Sequence, residues 1–298
     1  MHDAGMARLT TWGTGGAADR LFAPADADDL SEFLGGLEPG DPVLWVGLGS
    51  NLLVRDGGID GVVILTSRGL GRFEEAGNGA IRAGAGVPCA KIARHCARKG
   101  LAGGEFLAGI PGTVGGALAM NAGAHGAATW DLVHRVETVD RRGRRRWRDR
   151  TEFDVGYRSV GGAVDEWFTC ADVRFVPDEP GAVRERTRRL VRARAATQPV
   201  GQRSCGSVFR NPPGDHAGRL VDACGLKGVR VGGAVVSEKH GNFIVNDGTA
   251  TSSDIEELIE TVRSRVYAGT GIRLEPEVRI VGRRPASRCA RADREERS

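Results

Sequence analysis

The chain has 298 residues, 40% of them hydrophobic and 27% charged, with a formal net charge of +4. That length accommodates two or three compact units, and the composition is that of an ordinary soluble globular protein. The mild positive balance suits anionic small molecules and is too weak by itself to indicate nucleic acid.

No apolar segment of the secretory type follows the N-terminus, so the expected location is the cytosol. The six cysteines (Cys89, Cys96, Cys170, Cys205, Cys224 and Cys289) form no C-x-x-C pair and no ligand-like cluster with histidine. They are expected as reduced thiols rather than metal ligands. Cys89, Ile92 and Cys96 have the spacing of a buried helix face.

In chain order, the glycine-rich opening from Thr10 to Pro24 leads to a strand around Arg20 to Ala23, then a short helix over Pro24 to Leu37. Val43 to Val46, bounded by Pro42 and Gly47, reads as a buried strand. GLGSNLLV, Gly47 to Val54, follows at once. Such a loop offers backbone amides, a hydroxyl and a carboxamide, a set that neutralises a pyrophosphate without lysine. It is not a Walker loop, since the Gly-Lys-Ser/Thr ending is missing, and it lacks the full G-x-G-x-x-G with a helix behind it.

Further strands are expected at Gly61 to Leu65 and Ala80 to Ala83. A helix is expected at Pro88 to Lys99, with Pro88 in its first turn and Gly100 as its stop. GIPGTVGGALAMNAGAHG, Gly109 to Gly126, comes next; six of its eighteen residues are glycine, and none from Phe106 to Ala124 is charged. Lacking a Cβ, glycine lets amide N–H groups meet a phosphate or a carbonyl-rich ring. An uncharged run of this kind also suits a membrane helix, and Gly112 and Gly116 have the small-residue spacing of helix packing. Pro111, Asn121 and the scarcity of bulky aliphatics oppose that. A tight loop packed on a core without a ligand is the other alternative, and the glycine loop upstream counts against it. Two such loops can hold the two ends of one dinucleotide.

Leu132 to Val139 and Trp167 to Val176 alternate like strands around the basic run RRGRRRWRDR, Arg141 to Arg150. Gly143 marks a hairpin turn there, and a solvated tip accounts for the charge better than a nucleic-acid patch. Between these strands lies FDVGYRS, Phe153 to Ser159, in which Tyr157 beside Arg158 is, taken alone, an ordinary surface pair. Glu179 to Ala196 reads as a helix with a basic outer face, broken by Thr197-Gln-Pro199.

The last unit opens with SCGSVFRNP, Ser204 to Pro212. A helix from His216 to Cys224 is expected with Asp215 as its cap, then short strands between Lys227 and Asn246. Ser253-Asp-Ile-Glu256 has the form of a capping box, ahead of a helix whose buried stripe is Ile255, Leu258, Ile259, Val262 and Val266. IRLEPEVRIVG, Ile272 to Gly282, read as a strand, turns Val278 and Ile280 to the core and Glu277 with Arg279 to the other face. A structural salt bridge explains that pair equally well. The polar, arginine-rich end, residues 285–298, is expected as a disordered tail.

GLGSNLL, GIPGTVGGALAMNAGAHG, GYRS, CGSVFRNP and LEPEVRIVG occur in the order of one family. From about Thr10 to Gly282 the chain resembles the UDP-N-acetylenolpyruvoylglucosamine reductases, or MurB enzymes. It resembles their second, shorter type, because no long tyrosine-bearing insertion follows Arg158 and Cys-Gly-Ser precedes Val208. The resemblance implies an α+β chain: a two-subdomain FAD-binding fold of the vanillyl-alcohol-oxidase (PCMH) type at 1–67 and 68–196, then a C-terminal α/β substrate-binding domain at 197–284.

By the same resemblance, FAD is held by Gly47, Gly49, Ser50, Asn51 and Leu52 and by Ile110, Pro111, Gly112, Thr113, Gly115 and Gly116, with Gly123 nearby. The FAD is expected to be non-covalent, since Gly49-Ser50-Asn51 has no histidine. NADPH is implied as reductant, and UDP-N-acetylglucosamine enolpyruvate as the substrate converted to UDP-N-acetylmuramate for peptidoglycan. Neither nucleic acid nor membrane is implied as a partner, and no metal.

The catalytic residues carried over are Arg158, Ser207 and Glu277. Arg158 forks onto the substrate carboxylate as it becomes enolate-like. Ser207 donates the proton to the carbanionic carbon, and Glu277, if protonated, donates a hydrogen bond beside the same carboxylate. Tyr157, Arg210, Asn211 and Arg279 are the implied substrate contacts. Two rivals stay open on sequence: another FAD-linked oxidoreductase of the same fold acting on a sugar or lactone, and a non-catalytic nucleotide- or RNA-binding module.

Overall fold

A computed structural model of the chain describes residues 1–77 and 79–285. The tail expected at 285–298 lies outside the described residues apart from Pro285. Seven α-helices are described: α1 (Ala27–Gly35), α2 (Thr66–Gly69), α3 (Cys89–Lys99), α4 (Val114–Met120), α5 (Pro180–Thr197), α6 (Ala217–Ala223) and α7 (Ser252–Thr270). Among the described residues no helix is long and apolar enough to cross a membrane. The chain forms two compact units, one of residues 22–48 and 64–196, the other of residues 1–21, 49–63 and 197 onward. The mixture of helix and antiparallel sheet is the α+β class expected.

The unit of residues 22–48 and 64–196 is built on a five-stranded antiparallel sheet. Its order is Arg145–Asp149, Val133–Asp140, Glu166–Arg174, Ala80–Gly84 and Phe73–Glu75. Strand alternation sends Ala171 and Val173 into the core with Ile81, Ala83 and Val136, under the buried faces of α3 and α4. Each fully buried valine or isoleucine there contributes about 1.5–3 kcal/mol relative to exposure. On the opposite face Asp172 accepts hydrogen bonds from Arg82 Nε (2.7 Å) and Arg135 Nε (2.8 Å). Both guanidinium groups also lie over the Trp147 ring, 4.7 and 4.5 Å from its centroid.

Local signals set most boundaries. Asp26 starts α1 by accepting from the N–H groups of Asp28 and Asp29, so the helix begins after Pro24 and Ala25. Pro88 precedes α3, and Gly100 closes it at φ +69°. Burial pushes the Cys89 and Cys96 thiols up to about 12, which leaves them protonated and weakly reactive. The five described cysteines are free thiols.

One expectation for this unit needs correction. The strand Val43–Val46 is only half-buried apart from Val46, and Trp45 stacks on Trp167 with centroids 5.1 Å apart. The basic hairpin is exposed at Arg142, Arg144, Arg145 and Arg146, as expected of a solvated tip, although several of its groups have partners. Arg145 pairs with Asp28, Arg141 donates to the Asp41 carbonyl at 2.8 Å, and the turn at Gly143 is pressed on the Ser31 backbone. Acidic and carbonyl groups on and after α1 thus meet part of the charge of an exposed tip.

The other unit packs α6 and α7 around Trp12, Leu53, Val208, Phe209 and Val278, with a three-stranded sheet of Arg230–Val231, Ala234–Val236 and Ile244–Asn246. Trp12 Nε1 donates to the Ile244 carbonyl and Asn246 Nδ2 donates back to the Trp12 carbonyl, both at 2.8 Å. The expected stripe Ile255, Leu258, Ile259, Val262 and Val266 is buried on α7.

The α7 capping box falls two residues earlier than expected, between Thr251 and Asp254. Asp56 accepts from the Ser252 and Ser253 N–H groups and from Ser253 Oγ, so that hydroxyl is already engaged. Asp215 likewise does not cap α6; it binds the His216 N–H and Arg219, and His216 stands at the cap. The strand expected over Ile272 to Gly282 is regular only at Arg279–Val281, since Pro276 has no N–H for a ladder.

Candidate active site

The predicted residues fall into two groups, one in each unit. In the unit of residues 22–48 and 64–196, the strand Val43–Val46 delivers Gly47 against Thr113, and a Cβ at Gly47 would overlap Thr113 Oγ1. Thr113 is the N-cap of α4 and is buried. The next two N–H groups are taken by protein: Val114 donates to the Val87 carbonyl (2.8 Å) and Gly115 to that of Ala85 (2.9 Å). Gly115 is also held tight, since an added Cβ there lies 2.8 Å from Ala85 Cβ. These two glycines, Gly47 and Gly115, therefore act by close packing.

Gly116 differs: it is exposed, and the nearest atom to an added Cβ is Thr113 Oγ1 at 4.0 Å. With Pro111 and Ala119 also exposed, and Ile110 and Gly112 partly so, α4 and its approach present an uncharged surface of small side chains. Such a surface fits the ring and pyrophosphate of FAD, which need close backbone approach more than fixed charge.

The end of α4 leads to Arg158. Asn121 closes the helix in the left-handed region at φ +44°. Its side chain donates to the Gly156 carbonyl (3.0 Å) and accepts from the Trp130 N–H (3.1 Å). Gly156 and Ser159 are paired across a two-residue hairpin turn formed by Tyr157 and Arg158. Arg158 occupies φ +52°, a conformation that favours glycine or asparagine. Its guanidinium donates to the carbonyls of Gly123 (3.1 Å) and Asn121 (3.4 Å) and stands 5.5 Å from the Tyr157 ring centroid. Tyr157 is exposed and Arg158 half-buried. The fold thus joins Arg158 to Gly123, a predicted cofactor residue.

In the unit of residues 1–21, 49–63 and 197 onward, Gly49 takes φ +64° against the Leu9 carbonyl, where a side chain would overlap. Its own carbonyl accepts from the Thr11 N–H. Ser50 and Asn51 are half-buried, and Leu52 is buried as the first residue of the strand Leu52–Val54. That strand pairs in parallel with Arg279–Val281, Leu52 standing opposite Arg279.

Asn51 ties this strand pair to the acid. Its Nδ2 donates to the Glu277 carbonyl and its own carbonyl accepts from the Arg279 N–H, both at 3.0 Å. Glu277 N–H in turn donates to the carbonyl of Val208, the residue after Ser207, at 2.7 Å. Ser207 and Glu277, distant in sequence, are therefore on neighbouring segments, each half-buried. Burial and the nearby Glu277 carboxylate push the Cys205 thiol above its ordinary range.

Arg210 and Arg279 are exposed, with the Arg210 N–H bonded to the Glu275 carbonyl. Asn211 is exposed as well, and its Oδ1 accepts from the Ala217 N–H at the start of α6 (3.1 Å).

Two asparagines outside the predicted set hold these groups. Asn242, 3% exposed, accepts from the Phe209 N–H and donates to the Phe209 carbonyl, both at 2.8 Å, and its carbonyl accepts from the Val208 N–H. Asn121 does the corresponding work for the Arg158 hairpin. Asn242 lies in a short polar turn with no signal of its own, and the sequence marks Asn121 only as unsuited to a membrane helix.

Residues 18–148 match the FAD binding domain family. With glycine loops of the geometry above, that defines the class: an FAD-binding flavoprotein. Residues 198–281 match the family described as UDP-N-acetylenolpyruvoylglucosamine reductase, C-terminal domain. The UDP-N-acetylenolpyruvoylglucosamine reductase of Methylococcus capsulatus is 57% identical over 93% of this chain and 91% of its own length. That of Alkalilimnicola ehrlichii is 55% identical over 94% of each chain. A crystal structure of the Thermus caldophilus enzyme, MurB, superposes with a TM-score of 0.81 at 35% identity, covering 93% of this chain and 97% of that one. The chain belongs to the UDP-N-acetylenolpyruvoylglucosamine reductase family, as its motifs implied.

Proposed function

We propose that the chain reduces UDP-N-acetylglucosamine enolpyruvate to UDP-N-acetylmuramate with NADPH, as an FAD-dependent step of peptidoglycan precursor synthesis. The observation that carries this is identity of more than half over nearly the whole length of relatives named for that reaction. The chemistry supplied by FAD when bound is two-electron transfer between NADPH and the enolpyruvyl double bond.

Addition of hydride to the methylene carbon leaves an electron pair on the carbon that bears the carboxylate. Arg158 holds the carboxylate as that charge develops, with a guanidinium that stays cationic throughout. Ser207 Oγ–H gives its proton to the carbon, completing the reduction. Glu277 lies beside the serine segment and, when protonated, donates a hydrogen bond to the same developing anion. Tyr157, Arg210, Asn211 and Arg279 contact the substrate.

Gly47 to Leu52 and Ile110 to Gly116, with Gly123, hold the FAD, in halves at 1–67 and 68–196, and residues 197–284 form the substrate-binding domain. Both reactants are charged, water-soluble nucleotides, so we place the reaction in the cytoplasm, with neither nucleic acid nor membrane as partner.

Purified protein is expected to carry a flavin absorption band nearly stoichiometric with chain. Acid precipitation should leave a white pellet and a yellow supernatant. NADPH should bleach the band without oxygen, and the enolpyruvyl substrate should restore it. A colourless protein that takes up no FAD contradicts the proposal, and a yellow pellet contradicts dissociable FAD.

A further inference from the structure

We infer that Asn51 is a positioning residue for Glu277, linking the glycine loop to the acid. The inference rests on the proposed roles of that loop and of Glu277. Asn51 holds the acid-bearing segment at two points, through Nδ2 to the Glu277 carbonyl and through its own carbonyl to the Arg279 N–H, each at 3.0 Å. The Glu277 peptide is fixed on its other side by the 2.7 Å bond from its N–H to the Val208 carbonyl. Val208 is fixed in turn by the Asn242 carbonyl, and Phe209 by the Asn242 side chain.

Glu277 therefore sits in a row that runs from Asn51 to Asn242, with Ser207 next to its far end. The row fixes the peptide that aims the Glu277 carboxyl. Regular strand pairing starts only at Arg279, so the Glu277 carbonyl is bonded by a side chain on the Asn51 side instead of by a ladder. The carboxamide of Asn51 supplies that bond. A hydroxyl or methyl at position 51 is too short to do so, whereas Ser50, next in the loop, is replaceable in this respect.

This assigns Asn51 a second duty beyond contact with FAD. Ligand contact along Gly49 to Leu52 and the aim of Glu277 are then mechanically linked, because one side chain belongs to both.

The test compares Asn51→Ala, Ser50→Ala, Glu277→Gln and the double variant Asn51→Ala with Glu277→Gln, all as full-length protein saturated with FAD. Asn51→Ala is expected to slow reoxidation by the enolpyruvyl substrate about tenfold to a hundredfold more than it slows flavin reduction by NADPH. In the Glu277→Gln background the same change is expected to cost little further, because the residue it positions has already lost its acid. A loss that persists undiminished in that background, or equal losses in both half-reactions, overturns the inference.

Hydrogen exchange of the flavin-free proteins gives an independent reading. Residues Glu275 to Val281 are expected to exchange faster in Asn51→Ala than in the unsubstituted chain, and at the original rate in Ser50→Ala. If Asn51→Ala takes up no flavin, this comparison decides alone, and unchanged exchange overturns the inference. If Glu277→Gln itself reoxidises at the full rate, the catalytic reading of Glu277 fails, while the exchange result still judges the link to Asn51.

Discussion

Arg158 and Ser207 are both framed by an asparagine, but only Arg158 adds a hold of its own side chain. Arg158 stands at the tip of a two-residue turn with a left-handed backbone, which costs a non-glycine residue roughly 1–2 kcal/mol. Its guanidinium bonds to the Gly123 and Asn121 carbonyls offset that strain. Ser207 makes no comparable reach; its neighbours Val208 and Phe209 are pinned by Asn242, and the Val208 carbonyl by the Glu277 N–H. The arginine thus adds the hold of its own side chain to that of the Asn121 frame, while the serine's place depends on other residues.

Ser207→Ala separates the two most strongly. It leaves the frame intact and removes only the proton, so reoxidation by the enolpyruvyl substrate is expected to fall by about 10²–10⁴, with reduction by NADPH unchanged. Stopped-flow traces of the two half-reactions check this, and equal losses count against a proton-donor role. Arg158→Lys follows: it keeps the charge but loses the fork and the bonds that hold the turn. A loss of about 10²-fold in kcat/KM is expected, read from steady-state kinetics.

Asn242→Ala probes the serine's frame. It strands the buried Phe209 N–H and carbonyl, so urea denaturation should show a loss of about 2–4 kcal/mol, together with slower reoxidation. A substitution at Gly47 probes the cofactor loops: Gly47→Ala forces Thr113 aside, and about 1–3 kcal/mol of stability should be lost along with FAD affinity, measured by fluorescence titration.

The least change is expected at Asp172, which serves neither group. Burial works against its charge, yet hydrogen bonds from Arg82 and Arg135 outweigh that and hold its carboxyl below the ordinary aspartate value. A lowered pKa in the folded state means the contribution is present above the ordinary value of about 4 and is lost as pH falls through the lowered one. The melting temperature should therefore exceed that of Asp172→Asn at neutral pH, with the difference shrinking below about pH 4. A difference that is constant with pH contradicts the ion-pair account.

Much of this is legible in the sequence. The glycine loops, the helix α3 between Pro88 and Gly100, and the α7 stripe are set by local rules, and the structure keeps them. Capping is less legible, because Asp56 and Arg219 compete for groups that the local pattern assigns to α7 and α6. The solvated hairpin tip is legible from its charge, but its partners are not, because Asp28 and Asp41 are remote in sequence from Arg145 and Arg141. Family resemblance pairs Ser207 with Glu277, while the bonds that join their segments, through Val208 and Asn51, are long-range and carry no sequence signature.

The decisive experiment mixes the NADPH-reduced chain with UDP-N-acetylglucosamine enolpyruvate in the absence of oxygen and follows the flavin band. Rapid return of the oxidised spectrum is expected, with UDP-N-acetylmuramate formed in step with it. A flavin that stays reduced until oxygen is admitted would contradict the proposed reaction.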